Sequence, residues 1–337
     1  MQYTRKKGCM MNHRERVLAA FDQQPVDRVP FSFWFHFVKN EDKIDAMEDP
    51  DILDMVYEGH RRYIQEVQPD FVKVMCDGLF RYPSDGLINF RSVDDFSDVK
   101  ALDRSHPWIQ AHVRNARRIS QLREQTVYIY NVFSPSMLFR ILHGEETFMA
   151  AFREAPVKMS DAMKRISEGT VNLVRALMED GGIDGIYYCV QNQNIDLISD
   201  EEHEKFFGAA DRQVLEAANA IHDSSILHVC GYEGRRNHVD RWTGYKSKAV
   251  NWAVNVEGIS LTEGKKIFGN RCVVGGFPNT LQGVLNAGSE EEIKAATRKI
   301  VDEVGREGLV VAADCSLPFS IDWEHLIWVR EALESIG

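Results

Sequence analysis

The run Ile226-Leu227-His228-Val229-Cys230-Gly231, written ILHVCG, decides how this chain folds. It is a short apolar run between the polar residues 222–225 and Gly231, a pattern typical of a buried strand that ends at a turn. On a strand, His228 and Cys230 leave the same face, about 6.6–6.8 Å apart along the axis. An imidazole nitrogen and a thiolate placed in this way can bind one metal ion, at about 2.0–2.1 Å and about 2.3 Å for zinc.

A His-x-Cys pair is a weak signal by itself, because most cysteines behave as small buried hydrophobes. Two ligands also need a third. The best candidate is Cys315, which follows Val310-Val311-Ala312-Ala313-Asp314 at the end of another apolar run. The sequence therefore predicts a zinc site at His228, Cys230 and Cys315, and the competing interpretation is three buried residues that never meet.

Eight apolar runs, separated by helical stretches, extend along the chain. Most are continuous rather than alternating, which favours a parallel sheet covered by helices, and eight strands can close a barrel. The predicted strands are Val29–Phe35, Phe71–Cys76, Val127–Phe133, Gly185–Val190, Ile226–Cys230, Ala249–Val254, Cys272–Phe277 and Leu309–Ala313. We predict one α/β domain over residues 12–337, a (β/α)8 TIM barrel, after a disordered segment over residues 1–11.

Composition narrows the class of protein. The 337 residues are 27% charged and 44% hydrophobic, with a formal net charge of −11, so no positive surface for nucleic acid or anionic membranes is expected. No apolar run approaches the roughly 18 residues of a membrane-spanning helix, and Met1–Met11 does not resemble a secretory signal. The six cysteines do not resemble a disulfide framework. We expect a reduced, cytoplasmic protein, either a monomer or a homodimer.

Barrels of this kind place their chemistry at the carboxyl ends of the strands. All three predicted ligands fall at such ends, and a Cys2His set leaves one zinc position open, as catalytic sites do. A zinc-bound thiol is deprotonated, so the site could make a sulfur nucleophile at neutral pH. Asp77 is a candidate catalytic or fourth-ligand carboxylate. The candidate substrate-binding residues at the other ends are Trp34, His36, Gln191, Asn192, Gln193, Asn255 and Asn279.

Each of these candidates has a structural alternative. Asp77 could be a solvated or capping aspartate, and His36 could be packed among its aromatic neighbours. Trp34 is as easily part of the barrel core or a pocket wall. Gln191–Gln193 could be an ordinary polar loop.

Several segments resemble the uroporphyrinogen decarboxylase superfamily over nearly the whole chain. They are residues 14–21 (RERVLAAF), 25–30 (PVDRVP), Ser134-Pro135, Gly144, 182–186 (GIDGI), Asn251-Trp252, 275–279 (GGFPN) and the closing strand. The resemblance implies a (β/α)8 barrel and two branches of activity. The decarboxylase branch uses an arginine pair after the first strand, an aspartate after the second and a histidine near the last.

This sequence keeps the aspartate as Asp77 but has residues 34–37 (WFHF) in place of the arginines and Cys315 in place of the histidine. A porphyrinogen with eight carboxylates would meet too few cations. The zinc-dependent branch, which includes methylcobalamin:coenzyme M methyltransferase, has His-x-Cys followed by a distant Cys, and His228, Cys230 and Cys315 match that motif.

The resemblance therefore implies a zinc enzyme that moves a methyl group between a corrinoid, such as methylcobalamin, and a thiol. The corrinoid is expected to arrive on a partner protein, because the barrel leaves no chain for a cobalamin-binding domain. Two alternatives remain open: a decarboxylase in which Asp77 is the main group, and a metal- or corrinoid-binding protein without turnover.

Overall fold

The computed structural model describes residues 10–41, 43–191, 198–231 and 234–337. Within these ranges seven parallel strands form one sheet, in which each strand pairs with the next along the chain. The strands are β1 Phe71–Val74, β2 Val127–Phe133, β3 Gly185–Gln191, β4 Ile226–Cys230, β5 Ala249–Trp252, β6 Cys272–Phe277 and β7 Leu309–Ala313. Helices connect successive strands, as parallel pairing requires.

The helices of the described ranges form the outer layer. They are α1 His13–Phe21, α2 Asp51–Glu66, α3 Asp85–Ile88, α4 Pro107–Ser120, α5 Pro135–Glu154, α6 Pro156–Asp180, α7 Asp200–His203, α8 Ala209–Asn219, α9 Val254–Glu257, α10 Leu261–Ile267, α11 Val284–Ala287, α12 Glu290–Val304 and α13 Trp323–Ser335. Asn12 with Glu15 three residues later, and Ser289 before three acidic residues, each predict the start of a helix. Capping boxes at Asn12 and Ser289 do begin α1 and α12. No helix in the described part of the chain is both long and apolar enough to cross a membrane.

The predicted first strand, Val29–Phe35, is wrong as a regular strand. It makes a single parallel bridge, Phe31 to Val311 of β7. The Phe31 amide donates to the Asp70 carboxylate and the Phe33 amide to the Tyr63 hydroxyl. Side chains therefore satisfy the backbone groups that a neighbouring strand would otherwise bind.

This extended segment, residues 30–34, nevertheless occupies the eighth position of the barrel. The Ser32 amide donates to the Val311 carbonyl on one side, and the Asp70 amide donates to the Phe31 carbonyl on the other. The segment thus joins β7 to the start of β1 and closes the ring. The (β/α)8 prediction is confirmed, although one of the eight positions lacks a regular strand.

Two further boundaries differ from the prediction. The helical pattern of residues 145–179 predicts a helix that starts at Glu145, but α5 begins at Pro135, and Gly144, with φ of 78°, kinks it. Glycine tolerates this left-handed backbone, so the chain can turn there without leaving the helix. The strand expected to reach Val254 ends at Trp252, because α9 starts at Val254.

The predicted disordered segment lies mostly outside the described residues, which begin at Met10. The Met11 amide donates to Asp27, and its carbonyl accepts from Arg16. The domain boundary at residue 12 stays a prediction.

Candidate metal centre

Strand β4 holds two of the predicted ligands. His228 and Cys230 lie on its inner face and are 1% and 5% exposed. Strands β3 and β5 flank β4, pairing His228 with Cys189 on one side and with Asn251 on the other. A central parallel strand cannot slip in register without turning both side chains away from the barrel interior, so their positions are fixed.

Cys315 joins them from the opposite side of the ring, two residues after β7 ends. The ligand atoms of His228, Cys230 and Cys315 all lie within 4.8 Å of one another. The Cys315 Sγ is 3.5 Å from the His228 Nε2. Among the described residues, these are the only three histidine, cysteine or acidic side chains grouped in a way that could hold a metal ion.

The donor set fits zinc. Two sulfurs and one imidazole nitrogen are common zinc ligands, and three protein ligands leave a fourth position for a substrate. Bond lengths of about 2.3 and 2.05 Å at a tetrahedral centre place the sulfur and nitrogen about 3.5 Å apart. The 3.5 Å between Cys315 Sγ and His228 Nε2 matches that separation.

Asn251 fixes the orientation of the His228 ring. Its amide nitrogen donates to the carbonyls of Val274 and Ala313, so its Oδ1 is the atom that faces His228. The His228 Nδ1 donates to that oxygen at 2.5 Å, which leaves the Nε2 lone pair toward the two sulfurs. Such outer hydrogen bonds set the tautomer of metal-binding histidines.

Tyr187 supports the same ring. Its hydroxyl also donates to the Asn251 Oδ1, and its ring stacks on His228 with centroids 4.8 Å apart. Trp34 packs edge-on against Tyr187 at 5.1 Å. The imidazole is therefore held by hydrogen bonding and by packing together.

The cysteines differ in their electrostatics. A hydrogen bond from Cys230, and electrostatic interactions with His228 and Lys73, hold the pKa of the Cys315 thiol well below its usual range despite burial. Burial raises the pKa of Cys76 to about 12 and raises that of Cys189 as well. The thiolate is the form that binds metal, so Cys315 is better suited to this role than Cys76 and Cys189.

The three ligands line a cavity of about 510 Å³ at the barrel mouth, which we call the metal cavity. Of the predicted substrate-binding residues, His36, Gln191 and Asn279 also line it. Gln191 Nε2 is buried and has no hydrogen-bond partner among the described residues, so it offers a donor to a bound molecule.

The remaining predicted residues lie elsewhere. Trp34 is buried beneath Tyr187, and the exposed Asn255 donates to Asp314. Asp77 is fully buried and accepts from His36 Nδ1 at 2.8 Å. Asn192 and Gln193 lie outside the described residues. A role in substrate binding or catalysis stays a prediction for each of these side chains.

Sequence reasoning missed Lys73. Lys73 and Arg140 are cationic side chains that line the metal cavity. Lys73 is 5% exposed, and its Nζ lies 3.8 Å from the Tyr187 ring centroid and 5.2 Å from that of Trp34. Burial lowers the pKa of Lys73. The signal in the sequence was a lysine inside the apolar run Phe71–Val74. Burying an ammonium group costs free energy, so a lysine at such a position suggests a function.

A parallel barrel with a Cys2His cluster at its mouth defines a class of candidate zinc enzymes, and comparison with known proteins places the chain within a family. The sequence model of the family described as "Uroporphyrinogen decarboxylase (URO-D)" matches residues 85–336. The chain belongs to this family.

A sequence match and a structural match both come from Methanosarcina mazei. Methylcobamide:CoM methyltransferase MtbA is 19% identical over 310 residues, which cover 86% of this chain and 88% of that protein. The structure of a methyltransferase from the same organism superposes with a TM-score of 0.69 at 15% identity and covers 97% and 99% of the two chains.

A B12-independent methionine synthase from Shewanella, in complex with selenomethionine, superposes with a TM-score of 0.55 at 12% identity. The match covers 92% of this chain and 98% of the synthase chain. At these identities the two structural matches establish the barrel fold.

Proposed function

We propose that this protein is a zinc-dependent methyltransferase that moves a methyl group between a corrinoid and a small thiol or similar acceptor. The observation that carries the proposal is the convergence of His228, Cys230 and Cys315 within 4.8 Å. Membership of the family and similarity to a methylcobamide:CoM methyltransferase agree with it.

His228, Cys230 and Cys315 would hold the zinc. When bound, the ion would bind the acceptor sulfur as a thiolate, which is a far better nucleophile than the thiol. Asn251 and Tyr187 keep the imidazole aimed at the site, and the walls of the metal cavity orient the acceptor. Gln191 Nε2 and Lys73 Nζ are donors available to its polar end.

The methyl carrier would dock over the barrel mouth. The metal cavity is only about 510 Å³, enough for the small acceptor but not for a whole corrinoid. A partner protein would therefore present the corrinoid from outside. The same site would also permit the reverse direction, from a methyl donor to the corrinoid. We propose the cytoplasm as the compartment, where the thiols stay reduced.

The decarboxylase alternative receives less support from the site. Asp77, its main group, is fully buried, and both of its oxygens are occupied: Oδ1 accepts from His36 and Oδ2 from the Phe37 amide. A carboxylate used in this way positions another residue rather than contacting substrate.

Metal analysis of anaerobically purified protein tests the proposal. We expect about one zinc per chain in the wild type and none in Cys315→Ala. Cys189→Ala is the matched control, because Cys189 lines the same cavity but lies outside the ligand group. It should keep its zinc.

Activity is then measured by mixing the protein anaerobically with methylcobalamin and a panel of small thiols that includes coenzyme M. Loss of the methyl–cobalt bond changes the cobalamin absorbance. We expect this change with wild type and Cys189→Ala and not with Cys315→Ala. Reduced wild-type protein without zinc would rule out the methyltransferase, and attention would pass to decarboxylation.

A further inference from the structure

His36 lies between two cavities. It lines the metal cavity, and it also lines a groove of about 600 Å³ beside α2, which we call the outer groove. Asp51, Glu58 and Arg62 of α2 and Phe319 contribute to that groove. No other described residue lines both cavities, so His36 is the side chain through which the two spaces meet.

A buried carboxylate fixes the His36 ring. Its Nδ1 donates to Asp77 Oδ1 at 2.8 Å, and Asp77 Oδ2 accepts from the Phe37 amide at 2.8 Å. A neutral His36 therefore has its proton on Nδ1 and a lone pair on Nε2, and the Nε2 atom lies 3.4 Å from Glu41 Oε1. This is the arrangement in which a carboxylate orients an imidazole to accept a proton.

The proposed reaction needs such an acceptor. When a thiol takes a methyl group from a methyl corrinoid, the S–H bond breaks and a sulfur–carbon bond forms. The carbon–cobalt bond breaks at the same time, and its electron pair stays on cobalt, which goes from cobalt(III) to cobalt(I). The thiol proton belongs to neither product, so it must leave the cavity.

We propose that His36 accepts this proton on Nε2 and releases it to water in the outer groove, with Asp77 as its positioning residue. The inference rests on the proposed function and extends it by a route for the proton. The route keeps the barrel mouth free for the methyl carrier while the proton leaves on the other side of His36.

Other titratable groups of the metal cavity are less suited to this task. Glu41 lines the metal cavity but not the outer groove. Glu145 is ion-paired with Arg140 and Arg235. Lys73 is enclosed by the Tyr187 and Trp34 rings and does not line the outer groove. Among the described residues, His36 alone lines both spaces.

The carboxylates around His36 stabilise its protonated form, which the proposed proton transfer requires for part of each catalytic cycle. Burial lowers the pKa of His36, but the hydrogen bond and charge of Asp77 and the charge of Glu41 outweigh it and raise the pKa overall. Glu41 Oε1 lies 3.4 Å from His36 Nε2 and stabilises the protonated ring. The other charged groups that face the ring are Lys73, Asp51, Asp54, Glu58 and Arg62.

The test is the pH dependence of methyl transfer from methylcobalamin to a small thiol, measured on zinc-loaded wild type, His36→Gln, Asp77→Asn and the control His325→Gln. His325 belongs to α13 and lines neither cavity. Its Nδ1 donates to the Leu285 carbonyl. The wild-type rate should rise with pH as His36 becomes neutral. His325→Gln should follow the wild type.

His36→Gln should keep its zinc, lose about 100-fold in kcat at neutral pH and lose the acidic limb of the profile. Asp77→Asn should move that limb to lower pH, because the carboxylate that raises the pKa of His36 is gone. Added imidazole should restore part of the rate in His36→Ala, entering through the outer groove. A purely structural histidine would show neither the shift nor the rescue.

The outcomes separate the two proposals. If the wild type methylates no thiol, the proposed methyltransferase function is wrong, and so is the proton transfer through His36, which we call the relay. A wild type that turns over while His36→Gln keeps the wild-type pH profile overturns the relay alone. Should His36→Gln fail to fold or to hold zinc, Asp77→Asn decides, and an unmoved acidic limb in that variant overturns the relay.

Discussion

One side-chain amide near the candidate metal centre makes hydrogen bonds to residues of four other strands, β3, β4, β6 and β7. Asn251 on β5 accepts from His228 and from Tyr187 through its Oδ1, and it donates to the carbonyls of Val274 and Ala313 through its Nδ2. It is fully buried, so every one of these bonds lacks competition from water. The geometry of His228 therefore depends on a residue that does not touch the metal position.

Replacing Asn251 with alanine should weaken zinc binding by about 10–100-fold, because the His228 ring loses the bond that fixes its tautomer and direction. Competition with a zinc chelator measures the affinity. Asn286→Ala is the control, since Asn286 is only partly buried and its side-chain amide donates to the Leu281 carbonyl instead of to the metal centre. Equal affinities in the two variants would show that packing alone orients His228.

The sequence alone predicts some residues of the candidate site but not others. His228, Cys230 and Cys315 could be predicted because strand spacing and strand ends determine where they point. Asn251 and Lys73 could not be assigned in the same way, since each falls inside an apolar run and its contacts come from strands distant in sequence. The pairing of His36 with Asp77 likewise joins residues 41 positions apart.

Among the elements, the Asp70 carboxylate joins helix α1 and the extended segment 30–34 to the start of β1. The fully buried Asp70 accepts from His13, Arg16 and Arg28, and from the Phe31 amide. Burial alone would raise the pKa of Asp70, but the hydrogen bond from His13 and the arginine charges outweigh it and hold the pKa well below its usual range. The eighth position of the barrel thus depends on an ion-pair network instead of a strand ladder.

Asp70→Asn should lower the free energy of unfolding by about 3–5 kcal/mol at neutral pH, because Arg16 and Arg28 lose the buried carboxylate that they share. A carboxylate with a lowered pKa stabilises fully above the ordinary Asp value of about 3.9, and that stabilisation is lost as the pH falls below it. The difference between wild type and variant should therefore be constant from pH 5 to 7 and shrink toward pH 3.

Denaturant unfolding at several pH values measures this difference. Asp94→Asn is the control, because Asp94 pairs with Lys158 on the surface and its loss should change stability by less than about 1 kcal/mol. A difference that does not depend on pH would mean that Asp70 acts by shape rather than by charge.

The sequence predicts the ends of helices and strands correctly where the signal is local. It fails where contacts between residues distant in sequence determine those ends. Ser289 and Glu292 begin α12 where the sequence predicts, because a capping box is a local signal. The helix before Gly144 was missed, since a glycine at that point suggests a break rather than a kink. Segment 30–34 is apolar enough for a strand, yet the amides of Phe31 and Phe33 donate to side chains, of Asp70 and of Tyr63 on α2, instead of to a neighbouring strand.

At the scale of the whole molecule, the candidate metal centre connects parts of the barrel that are not neighbours. His228 and Cys230 lie on β4, and Cys315 follows β7, so β5 and β6 separate them in the sheet. A metal bound by all three residues would link the two sides of the mouth across the barrel. That link exists only in the folded state, because the unfolded chain does not bring residues 230 and 315 together.

Zinc should therefore raise the melting temperature of the wild type by mass action. With free zinc at 100 times its Kd, binding to the folded state adds about 2.7 kcal/mol, which for a chain of this length corresponds to about 4 °C. Thermal unfolding with zinc and after chelation measures the shift. Cys189→Ala should show the same shift as the wild type, and Cys315→Ala little or none. An equal shift in Cys315→Ala would place the bound zinc elsewhere and remove the cross-barrel link.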